Sequence, residues 1–346
     1  MAGAALSSGC DAPPLRVRPE LLGFNLITWD SKAMMRAAPW LDTIKILRTL
    51  GVPRVTLVPY RILNDKTRQL VSKSAYGLIE GPPPPILAEI MAAARSHGLS
   101  VGLKPMIEID NPEGEGVIWR GTIRLNDATR SAFFSSYKGY VFELLRVALA
   151  NGVDRFYIGS ELSGVAMDPT CTPFWLDLIR ACRREIGGGS CILSYAANYD
   201  EYQNVPFWGA LDEIGIDAYF PLARAREAVG RGRPSVDLLQ RRLVRIMEDI
   251  HAVSRRHNRP IMLAEWGVVP FDLTSTEPSS VEPSLEPDPE EALNAYSAVI
   301  DVVNGQGPWL KGIDFWHWSV SRRNDSAYAV TADSRVGRLV RSALMS

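Results

Sequence analysis

The sequence has little cysteine, little histidine, no surplus of either charge and no long apolar run. The four cysteines, Cys10, Cys171, Cys182 and Cys191, form no CxxC pair and share no regular spacing. They are read as free thiols, because a disulfide frame or a zinc site would need paired spacings. His97, His251, His257 and His317 give no HxH or HExxH pattern, so no histidine-rich metal centre is expected. With 38 basic against 39 acidic residues, the chain lacks the basic excess that nucleic acid or an anionic membrane surface attracts. No stretch of about 18 apolar residues occurs, so no membrane-spanning helix is expected. Met1–Pro14 has neither a charged start nor an apolar core and is not read as a signal peptide. The sequence as it stands is therefore expected to be cytoplasmic, or secreted if a signal peptide was removed.

What is present is an ordinary globular balance, 46% hydrophobic and 22% charged, over 346 residues. Short apolar or β-branched runs alternate with amphipathic stretches. The expected strands are Leu22–Ile27, Arg54–Pro59, Ser100–Ile107, Arg155–Gly159, Cys191–Ala196, Glu213–Tyr219, Pro260–Ala264 and Gly312–Trp316. The expected helices include Ala38–Leu50, Pro84–His97, Ala128–Asn151, Pro173–Ile186, Ser235–His257 and Pro289–Asn304. Gly51, Gly98 and Asn151-Gly152 stand where helices should end, since such residues accept the left-handed backbone of a C-cap. Alternation of this kind implies parallel strands with helical crossovers. Eight units without a GxGxxG turn after the first strand favour an α/β fold of the (β/α)8 TIM-barrel type over a dinucleotide-binding sheet. Residues 1–18 are read as an N-terminal extension and 19–346 as one barrel domain. The Pro- and Glu-rich stretch Thr276–Pro289 is read as a solvated insertion, with a substrate lid as the alternative.

In such a barrel the C-terminal strand ends share one mouth, where polar residues interrupting apolar strands are the site candidates. Two glutamates stand out: Glu161, in Ile158-Gly159-Ser160-Glu161-Leu162 after strand four, and Glu265, in Leu263-Ala264-Glu265-Trp266-Gly267 after strand seven. A lone glutamate at a strand end is usually an ion-pair partner or a helix cap. Two on opposed strands can supply the acid and the attacking carboxylate that glycosidic cleavage needs, without metal or organic cofactor. Trp29, Tyr60, Trp119, Tyr195, Tyr199, Tyr219, Trp266, Trp316 and Trp318 fall at or beyond strand ends, and aromatic rings pack on the C–H faces of sugars. The partner implied is an oligo- or polysaccharide.

Leu193-Ser194-Tyr195-Ala196-Ala197-Asn198-Tyr199, continuing through Phe207-Trp208 to Ile214–Leu222, resembles glycoside hydrolase family 113. Lys104-Pro105, Trp119-Arg120-Gly121, Phe134–Tyr137, Gly159–Leu162 and Phe315-Trp316-His317-Trp318 extend the likeness over about Gly23 to Trp318. The resemblance implies a retaining clan A barrel acting on β-1,4-mannan, with Glu161 as acid/base and Glu265 as nucleophile. It implies Trp316 as the aromatic floor at the cleaved bond and Tyr219 beside the nucleophile. Asn198, Lys104, Trp119 and Arg120 would line the cleft, with Trp29, Tyr60, Ser160, Tyr195 and Trp266 as further substrate-binding candidates. Ser160 stands where most of the clan has asparagine, in keeping with the small residue the family tends to carry; Trp266, where an aliphatic residue is expected, and Met106-Ile107-Glu108, where the family more often shows His-Val-Asp, depart from the family pattern. The alternatives are the same chemistry on another β-glycan, an exo-acting β-mannosidase, or a non-catalytic carbohydrate-binding barrel.

Overall fold

The computed structural model describes residues 18–73, 80–110, 118–224, 232–284, 286–321 and 326–345. The first 17 residues of the N-terminal extension, Cys10 among them, lie outside the described residues. Eight parallel strands close a barrel in the order β1 (Leu22–Ile27), β11 (Leu310–Ser319), β10 (Ile261–Trp266), β9 (Ile214–Asp217), β8 (Ile192–Asn198), β7 (Arg155–Ser160), β5 (Ser100–Leu103) and β2 (Arg54–Leu57). Helices between them cover the outside, and the expected set appears within a residue or two of its predicted ends.

The second and third strands are shorter than expected and for the same reason. Each ends two residues before a proline, Pro59 or Pro105, which cannot donate to the ladder. The chain then turns outward into β3 (Tyr60–Asn64) and β6 (Met106–Asp110), which pair in parallel and carry the two-residue strand β4 (Leu70–Val71) on their edge. A second sheet thus rises beside the barrel mouth. A C-terminal helix, Arg335–Met345, was not anticipated; it packs on helix Pro289–Asn304.

Gly51, Gly98 and Gly152 all adopt positive φ at helix ends, as their placement implied. Helix Asp127–Ala150 begins with a reciprocal capping box between Asn126 and Thr129. At the N-terminal end of the barrel the interior is ionic. Arg54 Nε donates to Asp314 Oδ1 at 2.7 Å, Thr56 Oγ1 to Asp314 Oδ2 at 2.6 Å, and Arg155 forks onto Glu213 at 2.7 and 3.0 Å. All four charged groups are buried, so each pair must stay matched: one orphaned partner inside protein costs about 3–5 kcal/mol. Gly23 lets this pair approach, since a Cβ there would collide with Asp314 Oδ1. The opposite, C-terminal end is left free for the site.

Cys171, Cys182 and Cys191 are buried free thiols, as the irregular spacing implied. Among the described residues no helix is long and apolar enough to cross a membrane.

Candidate active site

A cavity of about 730 Å³ opens at the barrel mouth, and both Glu161 and Glu265 line it. Each comes from a strand whose regular pleat fails just before the glutamate. In β7 the register against β8 shifts between Tyr157 and Ser160. In β10 the register against β9 shifts between Leu263 and Glu265. Strict alternation would place Ala264 and Glu265 on opposite faces, with Ala264 packed inward on Tyr157 and Ala196. The extra residue cancels that inversion, so Glu265 reaches the cavity while Trp266 turns outward onto Tyr296 at 4.8 Å and Phe315 at 6.0 Å. Bulges at barrel rims re-aim side chains in this way. In β7 the device requires glycine, because a Cβ on Gly159 would strike the Tyr137 hydroxyl. Glu161 follows with φ of 52°, in the left-handed region that a residue with a Cβ enters only at some cost. Its N–H is held by the Ala196 carbonyl at 2.8 Å.

The two carboxylates meet different partners. Glu161 Oε2 accepts from Arg120 Nη1 at 2.6 Å and from Trp119 Nε1 at 3.1 Å. Burial raises the Glu161 pKa above the ordinary glutamate range; Arg120 opposes this, Glu265 adds to it, and the Trp119 bond and Lys104 oppose it. Glu265 Oε1 is ion-paired with the Lys104 ammonium, and its Oε2 accepts from the Tyr219 hydroxyl at 2.9 Å. Behind them lies Asp217, fully buried. Its Oδ2 accepts from Ser160 Oγ at 2.9 Å, and its Oδ1 makes no hydrogen bond and lies 3.8 Å from Lys104 Nζ. Burial and then the Glu265 charge drive its pKa well above the usual aspartate value, against Lys104. Arg120 is fixed from the outer sheet, donating to the Ile107 carbonyl at 2.9 Å and pairing with Glu108 at 3.4 Å. Burial also raises Glu108, with Arg120 opposing.

Of the sequence candidates, Trp29, Trp119, Arg120, Asn198, Tyr219 and Trp316 line the cavity with the two glutamates. Trp29 and Trp316 meet edge to face at 6.4 Å, and Lys104 Nζ sits 5.4 Å from the Trp316 ring. Five candidates do not reach it. Lys104 is fully buried and acts on Glu265 from behind, and Ser160 is likewise spent on Asp217. Tyr60, 3% exposed, packs in the apolar cluster that supports Tyr219 and Trp316. Tyr195 lies wholly inside the wall, bonded to Leu162 N and Glu201. Trp266 faces the helices, as described. Tyr199, one of the strand-end aromatics, lines it too, and residues that sequence reasoning did not single out as substrate contacts complete the lining: Glu108, Ile118, Asp200, Ser279, Val281, Ser326 and Tyr328. The Pro- and Glu-rich stretch is thus not merely solvated. Ser279 and Val281 form part of the wall, and the Tyr328 hydroxyl donates to the Pro278 and Ser280 carbonyls. Asp200 and Ser326 lay beyond the strand ends where motifs were sought, and nothing local marked them.

The acidic group Asp272, Asp288 and Glu291 lies close together elsewhere, but two of its three members are already engaged. Asp288 caps helix Pro289–Asn304 and pairs with Arg233, and Glu291 accepts from the Leu273 and Ser275 backbone.

A closed parallel barrel with two carboxylates in an aromatic-lined mouth defines a carbohydrate-active hydrolase of the barrel type. The family model Glycoside Hydrolase Family 113 matches residues 82–335, and the chain belongs to that family. It is a glycoside hydrolase. A solved GH113 β-1,4-mannanase superposes with a TM-score of 0.75 at 18% identity, covering 94% of this chain and 99% of that one. The GH113 β-mannanase of Alicyclobacillus acidocaldarius, solved with the ligand ManMIm, gives 0.70 at 19% identity over 96% and 98%. A family 5 enzyme from Streptomyces cattleya, solved with Manβ1-4GlcNAc, gives 0.56 at 15% identity over 94% and 80%. No curated protein sequence matches the chain.

Proposed function

We propose that this enzyme hydrolyses β-1,4-linked mannan-type glycans with retention of configuration, Glu265 serving as nucleophile and Glu161 as acid/base. The observation that carries this reading is the unlike surroundings of two carboxylates in one cavity. Glu265 lies against an ammonium and a tyrosine hydroxyl, which hold its oxygens in place and supply the counter-charge an attacking carboxylate needs. Burial raises the Glu161 pKa above its ordinary range, the direction that a group which must give a proton requires.

In the first step Glu265 attacks the anomeric carbon and the bond to the leaving sugar breaks, while Glu161 delivers its proton to the departing oxygen. In the second, Glu161, now ionised, takes a proton from water as that water attacks the anomeric carbon and Glu265 departs. The hydrogen bonds from Trp119 and Arg120 to Glu161 both fall on Oε2, which leaves Oε1 for the glycosidic oxygen. Trp316 and Trp29 offer ring faces and edges to the sugar, and Asn198, Asp200 and Glu108 offer polar contacts. The mannan preference rests on family membership and on the mannanases of like fold.

The test combines substrate and stereochemistry. Purified enzyme is offered β-1,4-mannan, glucomannan, other β-glycans and aryl β-glycosides, and the first-formed anomer is read by proton NMR. Release of the β anomer from mannan is expected, with a fluorosugar adduct mapping to the Glu265 peptide. An α product, or an adduct elsewhere, overturns the mechanism; activity confined to another glycan overturns the substrate.

A further inference from the structure

Glu201 makes no contact with the cavity and has no part in the two steps above, yet it is completely buried beside them. Its Oε1 accepts from the Tyr195 hydroxyl at 2.7 Å, and that hydroxyl in turn accepts from Leu162 N, also at 2.7 Å. Its Oε2 accepts from Ser163 Oγ at 2.8 Å and from Asn198 N at 3.1 Å. One carboxylate therefore ties the two residues that follow Glu161 to the end of β8, where Asn198 enters the cavity. Among the described residues no basic side chain forms an ion pair with it. A buried carboxylate without a counter-ion is costly to keep, and here burial pushes its pKa up to about 7. Packing alone would be served as well by an apolar side chain. What an apolar side chain would not supply is a hold on the backbone after Glu161, whose left-handed conformation is strained and must be imposed by its surroundings.

We infer that Glu201 is a positioning residue: through Tyr195 and Ser163 it fixes the Glu161–Ser163 turn and so aims the proton donor at the leaving oxygen. This rests on the acid/base reading of Glu161. In Glu201→Gln the amide cannot accept from Tyr195 while its oxygen still serves Ser163 and Asn198, so the link to Leu162 loosens. Tyr195→Phe cuts the same link from the other side and keeps the ring that packs on Trp175 and Phe207.

The experiment measures kcat/KM on β-glycosides that the wild-type enzyme cleaves, with leaving groups ranging from dinitrophenol, which departs without a proton, through less acidic phenols to plain sugar, which needs one. Glu161→Gln is run alongside. Expected is a loss on the order of 10–100-fold for both variants on the poor leaving groups and little loss on dinitrophenyl substrates. The double variant should be no worse than the poorer single one, because both cut one chain. Equal losses across all leaving groups would mean a general structural role and overturn the inference, as would no loss at all or additive losses. If Glu161→Gln itself shows no leaving-group dependence, the acid/base assignment falls and the inference with it. If it does and the other two do not, only the role of Glu201 falls.

Discussion

Replacing Lys104 with methionine keeps most of the length of a fully buried side chain and removes its charge. In the native protein that ammonium pairs with Glu265, lies 3.8 Å from Asp217 Oδ1 and donates to the Ala264 carbonyl at 3.3 Å. Without it two carboxylates share the interior with no cation in direct contact, Arg120 acting on them only from farther off. Breaking a buried pair from one side costs about 3–5 kcal/mol, so Lys104→Met should lose that much stability at pH 7. The loss carries a pH signature. Burial and the Glu265 charge already raise Asp217, and Lys104 is the main group working against them; its removal raises Asp217 further. A carboxyl whose folded-state pKa is raised contributes stability that is full below the unfolded value, about 3.9, and is lost as pH rises through the folded value. The gap between variant and wild type should therefore be widest at neutral pH and above, and narrow as pH falls toward about 4. Urea unfolding followed by tryptophan fluorescence from pH 4 to 8 measures it. A gap below about 1 kcal/mol, or one that does not change with pH, would refute the reasoning.

Three further outcomes are expected. Arg120→Gln removes the strongest influence holding down the Glu161 pKa; since that group must be protonated to act, the alkaline limb of kcat/KM against pH should move to higher pH, and a limb that stays or moves down would count against Glu161 as the acid. Trp316→Ala removes a ring that lines the cavity beside Trp29 and should weaken oligosaccharide binding by about 1–2 kcal/mol, read by calorimetry in a Glu265→Ala background; unchanged affinity would remove Trp316 from the subsite. Asp314→Ala, at the far end of the barrel, strands Arg54 and should destabilise by about 3–5 kcal/mol while kcat of the folded fraction is kept.

The barrel, its eight strands and the glutamate pair were legible because alternation of apolar runs with amphipathic stretches repeats so regularly. The errors came from side-chain direction. Tyr195 and Trp266 were chosen for standing near strand ends, but nearness says nothing about which face a residue takes. Trp266 in particular depends on an irregularity between Leu263 and Glu265 that leaves no sequence mark. Lys104 and Ser160 were expected to bind substrate, but they lie one layer behind the cavity, a depth that only packing reveals. The C-terminal helix could have been found, since Val336, Leu339, Val340, Ala343 and Leu344 recur at helical spacing. The wall made by Ser279 and Val281 could not, because it depends on Tyr328, roughly 50 residues on, gripping two carbonyls.

The outward turns at Pro59 and Pro105 have a consequence for how such an enzyme diversifies. Glu108 and the carbonyl that steadies Arg120 stand on β6, a lip hinged to the bowl by a proline rather than woven into its hydrogen-bonded ring. Changes along that lip can redraw what the mouth admits while the stave-to-stave pairing beneath stays as it was.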